Sequence, residues 1–289
     1  NNHQVMLTGS LHTVRLNRLR MIFSIVLLEY LMFIVSGVSF SFLYGNTFFS
    51  LEADPATWLF YLANLPQWIT ANQWAGILLD TLIIALLLLF IRNPFNNRLA
   101  LLLFLLLLLF YVTLMGHLVH HNFQFGFCLV FIPFIFRKET NRQFAFEAAR
   151  YFMLFFYVSA AWWKIYYNSL SEISHFSHLA SSQFTPYYLE VNTGIRTAFN
   201  LFLVSHPWFG WSLFVTSVVL ELLVIVGFFT KRFDKWIAIF ILLFHFSNWF
   251  MMDIAPLGQI AFVCLLFISK NLAPGKKQVS WPSPVAEGL

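Results

Sequence analysis

Charge is what this 289-residue sequence has least of: Asp, Glu, Lys and Arg together supply 10% of it. Soluble domains average about 25%, so a water-soluble globule of this size is excluded. Cysteine is nearly absent. Cys128 and Cys264 both lie inside apolar runs and are expected to be buried small hydrophobes, not a disulfide. No Asn-x-Ser/Thr sequon and no repeat of fixed period occurs. The first apolar run is too long for a cleavable signal peptide and lacks a small-residue cleavage site. Basic residues come in short clusters between apolar runs. The net charge of +5 is therefore no nucleic-acid signal, and no nucleic-acid partner is expected.

What is abundant is apolar surface: 60% of residues are hydrophobic, with 37 Phe and 10 Trp that suit lipid-facing surfaces and interfacial belts. Several runs are long enough to cross a bilayer. The expected fold is an all-α polytopic membrane helix bundle of about eight transmembrane helices, at 20–44, 73–92, 98–117, 119–136, 146–167, 208–230, 236–252 and 254–269. Tails at 1–19 and 271–289 flank this membrane domain of 20–270.

Charge sets the direction. Arg15, Arg18 and Arg20 precede the first span, and every second connection after it is basic: Arg92 and Arg98; Arg137, Lys138 and Arg142; Lys231, Arg232 and Lys235; Lys270, Lys276 and Lys277. The opposite connections carry Glu52, Asp54, Glu172, Glu190 and Asp253, with Arg196 as the only base. Basic residues stay on the cytoplasmic side, so both termini are expected to be cytoplasmic. This pattern and the missing sequons point to a bacterial inner membrane, with membrane lipids as surroundings. The two long extracytoplasmic loops, 45–72 and 168–207, are expected to lie on the membrane surface. Each would carry a short interfacial helix, one after Asp54-Pro55 and one near Thr193–Val204.

Ionisable groups inside hydrocarbon are costly and usually face a bundle interior or cavity. Here they are Glu29, Asp80, Lys164, Glu221 and His245, with Asn248 beside them. His117, His120 and His121 sit at an extracytoplasmic turn. With Lys164, His245, Asn248 and Asp80 they gather at one depth, near the outer leaflet, where a shared cavity is expected. Each also has a plainer role. Lys164 between aromatics can snorkel to the interface. His245 can be a satisfied core histidine, and Glu221 and Asp80 can hydrogen-bond between helices. Glu29 is expected to play a separate structural role.

The spacing His117-x-x-His120-His121 is that of membrane di-iron desaturases, which use about eight histidines in several boxes. This chain has nine histidines and no second His-His pair. The boxes of those enzymes also face the cytoplasm, so no metal is expected.

Three segments read together differently. His121-Asn-Phe-Gln-Phe-Gly126, Phe156-Tyr-Val-Ser-Ala-Ala-Trp-Trp-Lys164-Ile and Phe244-His245-Phe-Ser-Asn248 resemble, in order and approximate spacing, segments of the HTTM family, the membrane-domain superfamily that includes the vitamin K-dependent gamma-carboxylases. The resemblance covers roughly 116–270. It implies a carboxylase of carbon–carbon lyase type that uses a reduced quinone of vitamin K type. Lys164 would be the base and His121 its support. His245, Asn248, Trp163, Tyr167 and His120 would line the quinone pocket. The chain departs from the family at His120, where Asn is expected, and at Trp163, where a second Lys is expected.

Two function classes follow. One is a quinol-linked, carboxylase-like enzyme with a pocket open to the outer leaflet. The other is a non-catalytic integral subunit of a larger membrane complex.

Overall fold

The computed structural model describes residues 2–45, 64–115, 126–189, 194–252 and 257–267. Among these, all regular structure is helical. In chain order the helices are α1 (Asn2–Val35), α2 (Leu65–Ala71), α3 (Gln73–Arg92), α4 (Asn97–Met115), α5 (Gly126–Leu129), α6 (Ile132–Ile135), α7 (Glu139–Tyr166), α8 (His175–Leu189), α9 (Ile195–Ser205), α10 (Pro207–Leu223), α11 (Val226–Phe229), α12 (Asp234–Met252) and α13 (Ile260–Cys264). A 3-10 turn, Phe40–Phe42, follows α1.

Local chemistry sets the helix ends. The Asn72 side chain accepts from the backbone N–H of Trp74 and Ala75 and so starts α3. Asn96 does the same for Arg98 and Leu99 at the head of α4. Asn93-Pro94 stops α3, because proline cannot continue the hydrogen-bond ladder. Pro207 opens α10 at a position whose N–H has no partner in any case.

Five helical stretches are long and apolar enough to cross a membrane: Leu16–Phe42, Gln73–Arg92, Asn97–Leu114, Pro207–Phe229 and Asp234–Met252. They match five of the eight expected spans. The expected span at 146–167 coincides with α7 up to Tyr166, and α7 has 28 residues. That is ample length at 1.5 Å per residue, but Glu147, Arg150 and Lys164 make the stretch more polar. Each of these charges has an opposite charge on the α10–α12 side: Glu147 with Lys231, Arg150 with Asp234 and Lys164 with Glu221.

The expected spans 119–136 and 254–269 are described only in part. Their described parts are the short helices α5, α6 and α13, and their residues are almost wholly buried. Broken backbone at membrane depth is tolerated where protein covers it. Glu29 supplies part of that cover. Its carboxylate accepts from the backbone N–H of Gly258 and Ile260, both at 3.0 Å, at the head of α13. This is the structural role expected of it. Gly126 supplies another part: a Cβ there would overlap the Gln259 side chain, so α5 lies this close to the α13 head only as glycine.

The main core is aromatic. Phe23, Phe33, Phe90, Phe110, Phe127, Phe131 and Phe134 are all buried, and Phe23 meets Phe90 and Phe134 edge-on at 4.7 and 5.1 Å. Many of the phenylalanines assigned from the sequence to lipid contact therefore fill the interior. Both cysteines are free and buried, as expected.

The loop 168–207 also differs from the sequence expectation. It contains two helices, α8 and α9, that pack back on the bundle. Phe176, Ala180 and Leu203 from the loop join Ala161, Phe214, Val218 and Met252 in a second apolar core. Ser177 Oγ donates to Leu203 O at 2.8 Å, and Asn200 Nδ2 donates to Ala180 O and Met251 O at 3.2 and 3.0 Å. The expected helix near 193–204 corresponds to α9. Most of the loop 45–72, with its Asp54-Pro55 cap, lies outside the described residues.

Candidate functional site

Residues 157, 161 and 164 are spaced by four and three, so they share one face of α7. On α10, Phe214 and Glu221 are seven apart and share another. These faces meet. Lys164 Nζ donates to both oxygens of Glu221, at 2.6 and 2.7 Å. The Glu221 side chain is 4% exposed and that of Lys164 28%. The rings of Phe214 and Phe244 flank the ammonium at 5.8 and 5.5 Å, within cation–π range. Lys164 is thus held inward by a carboxylate and does not snorkel freely.

A second polar pair lies one layer deeper on the same α7 face. The Tyr157 hydroxyl sits 2.6 Å from His245 Nε2, and Gln259 Nε2 donates to that hydroxyl at 3.3 Å. The arrangement that uses each donor once sends the phenol proton to His245 Nε2 and leaves the imidazole proton on Nδ1. Tyr157, His245 and Gln259 are all buried.

The two pairs share a wall. Glu221 and Tyr157 line one cavity of about 10 Å³, closed by Leu220, Val224, Phe240, Ile241 and Phe244. That is close to the minimum room for one water and far below the roughly 300 Å³ of a small-molecule pocket. A quinone ring does not fit between Glu221 and Tyr157.

No protein-family model, curated protein or solved structure matches the chain. The site is therefore read from its own geometry.

Of the residues singled out in the sequence, Lys164 and His245 enter this site. His120 and His121 lie outside the described residues, as does His117. Asn248 is half-buried one turn from His245, and its side chain makes no hydrogen bond among the described residues. Trp163 and Tyr167 face outwards, 53% and 69% exposed, with their rings stacked 5.2 Å apart. One residue is 100° of helix rotation, which turns Trp163 off the Lys164 face. With Trp162 and Tyr166 it forms an aromatic belt at the end of α7, the arrangement typical of a membrane interface.

Asp80 is a structural acid. It accepts from Tyr30 Oη at 2.6 Å and from the backbone N–H of Phe40 and Ser41 at 3.3 and 2.9 Å, which ties α1, the 3-10 turn and α3 together. Arg196 donates to the carbonyls of Trp249 and Phe250 at the C-terminal end of α12, a favourable place for a cation.

Three site residues were not assigned their roles from sequence. Glu221 stands out in the sequence as an intramembrane acid but not as the partner of Lys164, although a lone lysine and a lone glutamate in hydrocarbon call for each other. Tyr157 has the seven-residue offset from Lys164 as its signal. Gln259 is signalled only by being polar within an apolar run.

Proposed function

We propose that this multi-pass membrane protein is an enzyme that moves a proton within the membrane, with the Lys164–Glu221 pair as its base. The observation that carries this is the two-pronged Lys164–Glu221 contact, walled by Phe214 and Phe244 and next to the Tyr157–His245 pair. As a unit, an ammonium and a carboxylate are neutral and take up one proton. The carboxylate receives it, and the remaining ammonium then stabilises the anion left on the substrate. Phe214 and Phe244 set the pair against apolar rings, and low polarity around a charge strengthens its field.

The resemblance to HTTM proteins supports this assignment, because the lysine it would carry over, Lys164, is one half of the pair. A reduced quinone is the cofactor that resemblance implies, and when bound it would supply the redox chemistry. The cavity between Glu221 and Tyr157 does not admit its ring, so the quinone would reach the pair from the partly exposed side of Lys164. The part that falls to the described residues is to hold and pass the proton.

The test uses purified wild-type protein and Lys164→Ala in lipid nanodiscs, supplied with menaquinol and oxygen, with quinone epoxide measured by mass spectrometry. Epoxide from the wild type and none from the variant is the expected result. No epoxide from the wild type, or equal amounts from both, overturns the assignment.

A further inference from the structure

An apolar cavity lies away from the lysine site. It is a groove of about 450 Å³ between α5–α6 and the first half of α7, lined by Leu129, Ile132, Phe136, Phe144, Ala148 and Phe152, among others. Its walls are apolar throughout. The exposed rings of Phe136, Phe144 and Phe152 line it together with the small side chains of Ala145, Ala148 and Ala149. From Phe144 to Phe152 it runs eight residues along α7, about 12 Å, most of the depth of one hydrocarbon leaflet.

One end of the groove is basic. Phe136 lines it, and Arg137 and Lys138 follow directly, both exposed. The nearby acids are already engaged. Glu139 accepts from Arg142 at 3.0 Å and from Gln143 at 3.2 Å, and Glu147 is paired with Lys231. Arg137 and Lys138 have no acidic partner among the described residues. Arg142 holds Glu139 and lies over the Phe95 ring, and its Nε is buried without a hydrogen-bond partner. The N-terminal turn of α7, whose Lys138 cap makes no side-chain hydrogen bond, opens at the same place and adds positive potential.

We propose that this groove binds an anionic glycerophospholipid, with one acyl chain along Ala148 and its phosphate between Arg137 and Lys138. The two halves of the groove match the two halves of such a lipid. An apolar slot alone would accept any lipid chain. The uncompensated pair of cations at its mouth makes the choice of headgroup. The groove lined by Phe233 and Trp236 on α12 offers a contrast. It is about half as large, at 230 Å³, and beside it Lys231 is already paired with Glu147. This lipid site is independent of the proton-transfer assignment and shares no residue with it.

The test is native mass spectrometry of the detergent-solubilised full chain, with dipalmitoyl phosphatidylglycerol and dipalmitoyl phosphatidylcholine added in equal amounts. The wild type is expected to retain phosphatidylglycerol with a preference of roughly tenfold or more, as two cations at a membrane surface allow. Arg137→Gln with Lys138→Gln should bring the preference to within about twofold. Ala148→Phe, which fills the slot from an exposed position, should lose both lipids. Arg232→Gln with Lys235→Gln, at the other groove, should leave the preference intact. Equal retention of the two lipids by the wild type overturns the proposal. So does a preference that survives Arg137→Gln with Lys138→Gln, or full retention by Ala148→Phe.

Discussion

Arg150 of α7 and Asp234 at the head of α12 are joined by two charge-assisted hydrogen bonds, 2.8 Å from Nε and 2.6 Å from Nη2, with both side chains 1% exposed. The same guanidinium donates to Gly227 O at 2.6 Å. One side chain therefore fixes α7 to the turn between α10 and α12. Removing one partner leaves a buried charge alone, which costs more than the pair contributes. Arg150→Met should destabilise the protein by about 3–5 kcal/mol. Arg150→Met with Asp234→Leu should recover most of that loss. Thermal unfolding in detergent measures both, and a double variant no more stable than the single would contradict this account.

The Lys164–Glu221 pair invites the same comparison with a different outcome. It also spans two helices, but it borders the water-sized cavity at Tyr157. Lys164→Met with Glu221→Met should fold about as well as the wild type, because matched apolar groups replace the pair. It should nevertheless produce no epoxide from menaquinol. If the pair were only a staple between α7 and α10, the double variant would restore every property of the protein. Stability and turnover measured on the same preparations separate the two roles.

Tyr157 has a hydroxyl with two partners. Tyr157→Phe leaves Gln259 without an acceptor and His245 Nε2 without a donor in a buried site. The expected cost is about 1–3 kcal/mol, the penalty for buried polar groups left unmade. Gln259→Leu in the Tyr157→Phe background should return part of it. Unfolding midpoints that do not move on Tyr157→Phe would show that the hydroxyl is not engaged as described.

How much of this was legible in the sequence follows from the physics of each signal. Hydrophobic length found α3, α4, α10 and α12, because a continuous apolar run has few alternatives to a spanning helix. The same signal marked 119–136 and 254–269, where the described parts are short buried helices. A run shielded by protein and a run facing lipid have the same composition, and only packing against Gly126 and Glu29 separates them. Lys164 and His245 stood out because polar groups are rare in such a chain. Their partners did not, since the meeting of Glu221 with Lys164, 57 residues apart, depends on how α7 and α10 are rotated. The outward turn of Trp163 and Tyr167 is set by that same rotation.

Orientation is open to direct measurement. Ser171, before α8, and Asn141, in the first turn of α7, are both exposed and lie at opposite ends of α7. The clustering of Arg137, Lys138 and Arg142 predicts that the Asn141 end faces the cytoplasm. With a membrane-impermeant maleimide, Ser171→Cys should label in intact cells and Asn141→Cys only after lysis. The native Cys128 and Cys264 are buried and should stay unlabelled. The reverse pattern would invert the charge-based orientation.

Gly126 tests whether the buried α5–α13 contact shapes the site. A methyl group there meets the Gln259 side chain and the Gly258 carbonyl, and Gln259 is the residue that donates to Tyr157. Overpacking of this kind typically costs 1–3 kcal/mol, so Gly126→Ala should lower stability by about that much. It should also displace Gln259 and reduce epoxide formation along with stability. Gly126→Ala with Gln259→Ala removes the nearest obstruction and should regain part of the stability but not the hydrogen bond to Tyr157. Equal stability of Gly126→Ala and the wild type would mean that α5 and the head of α13 are not in close contact.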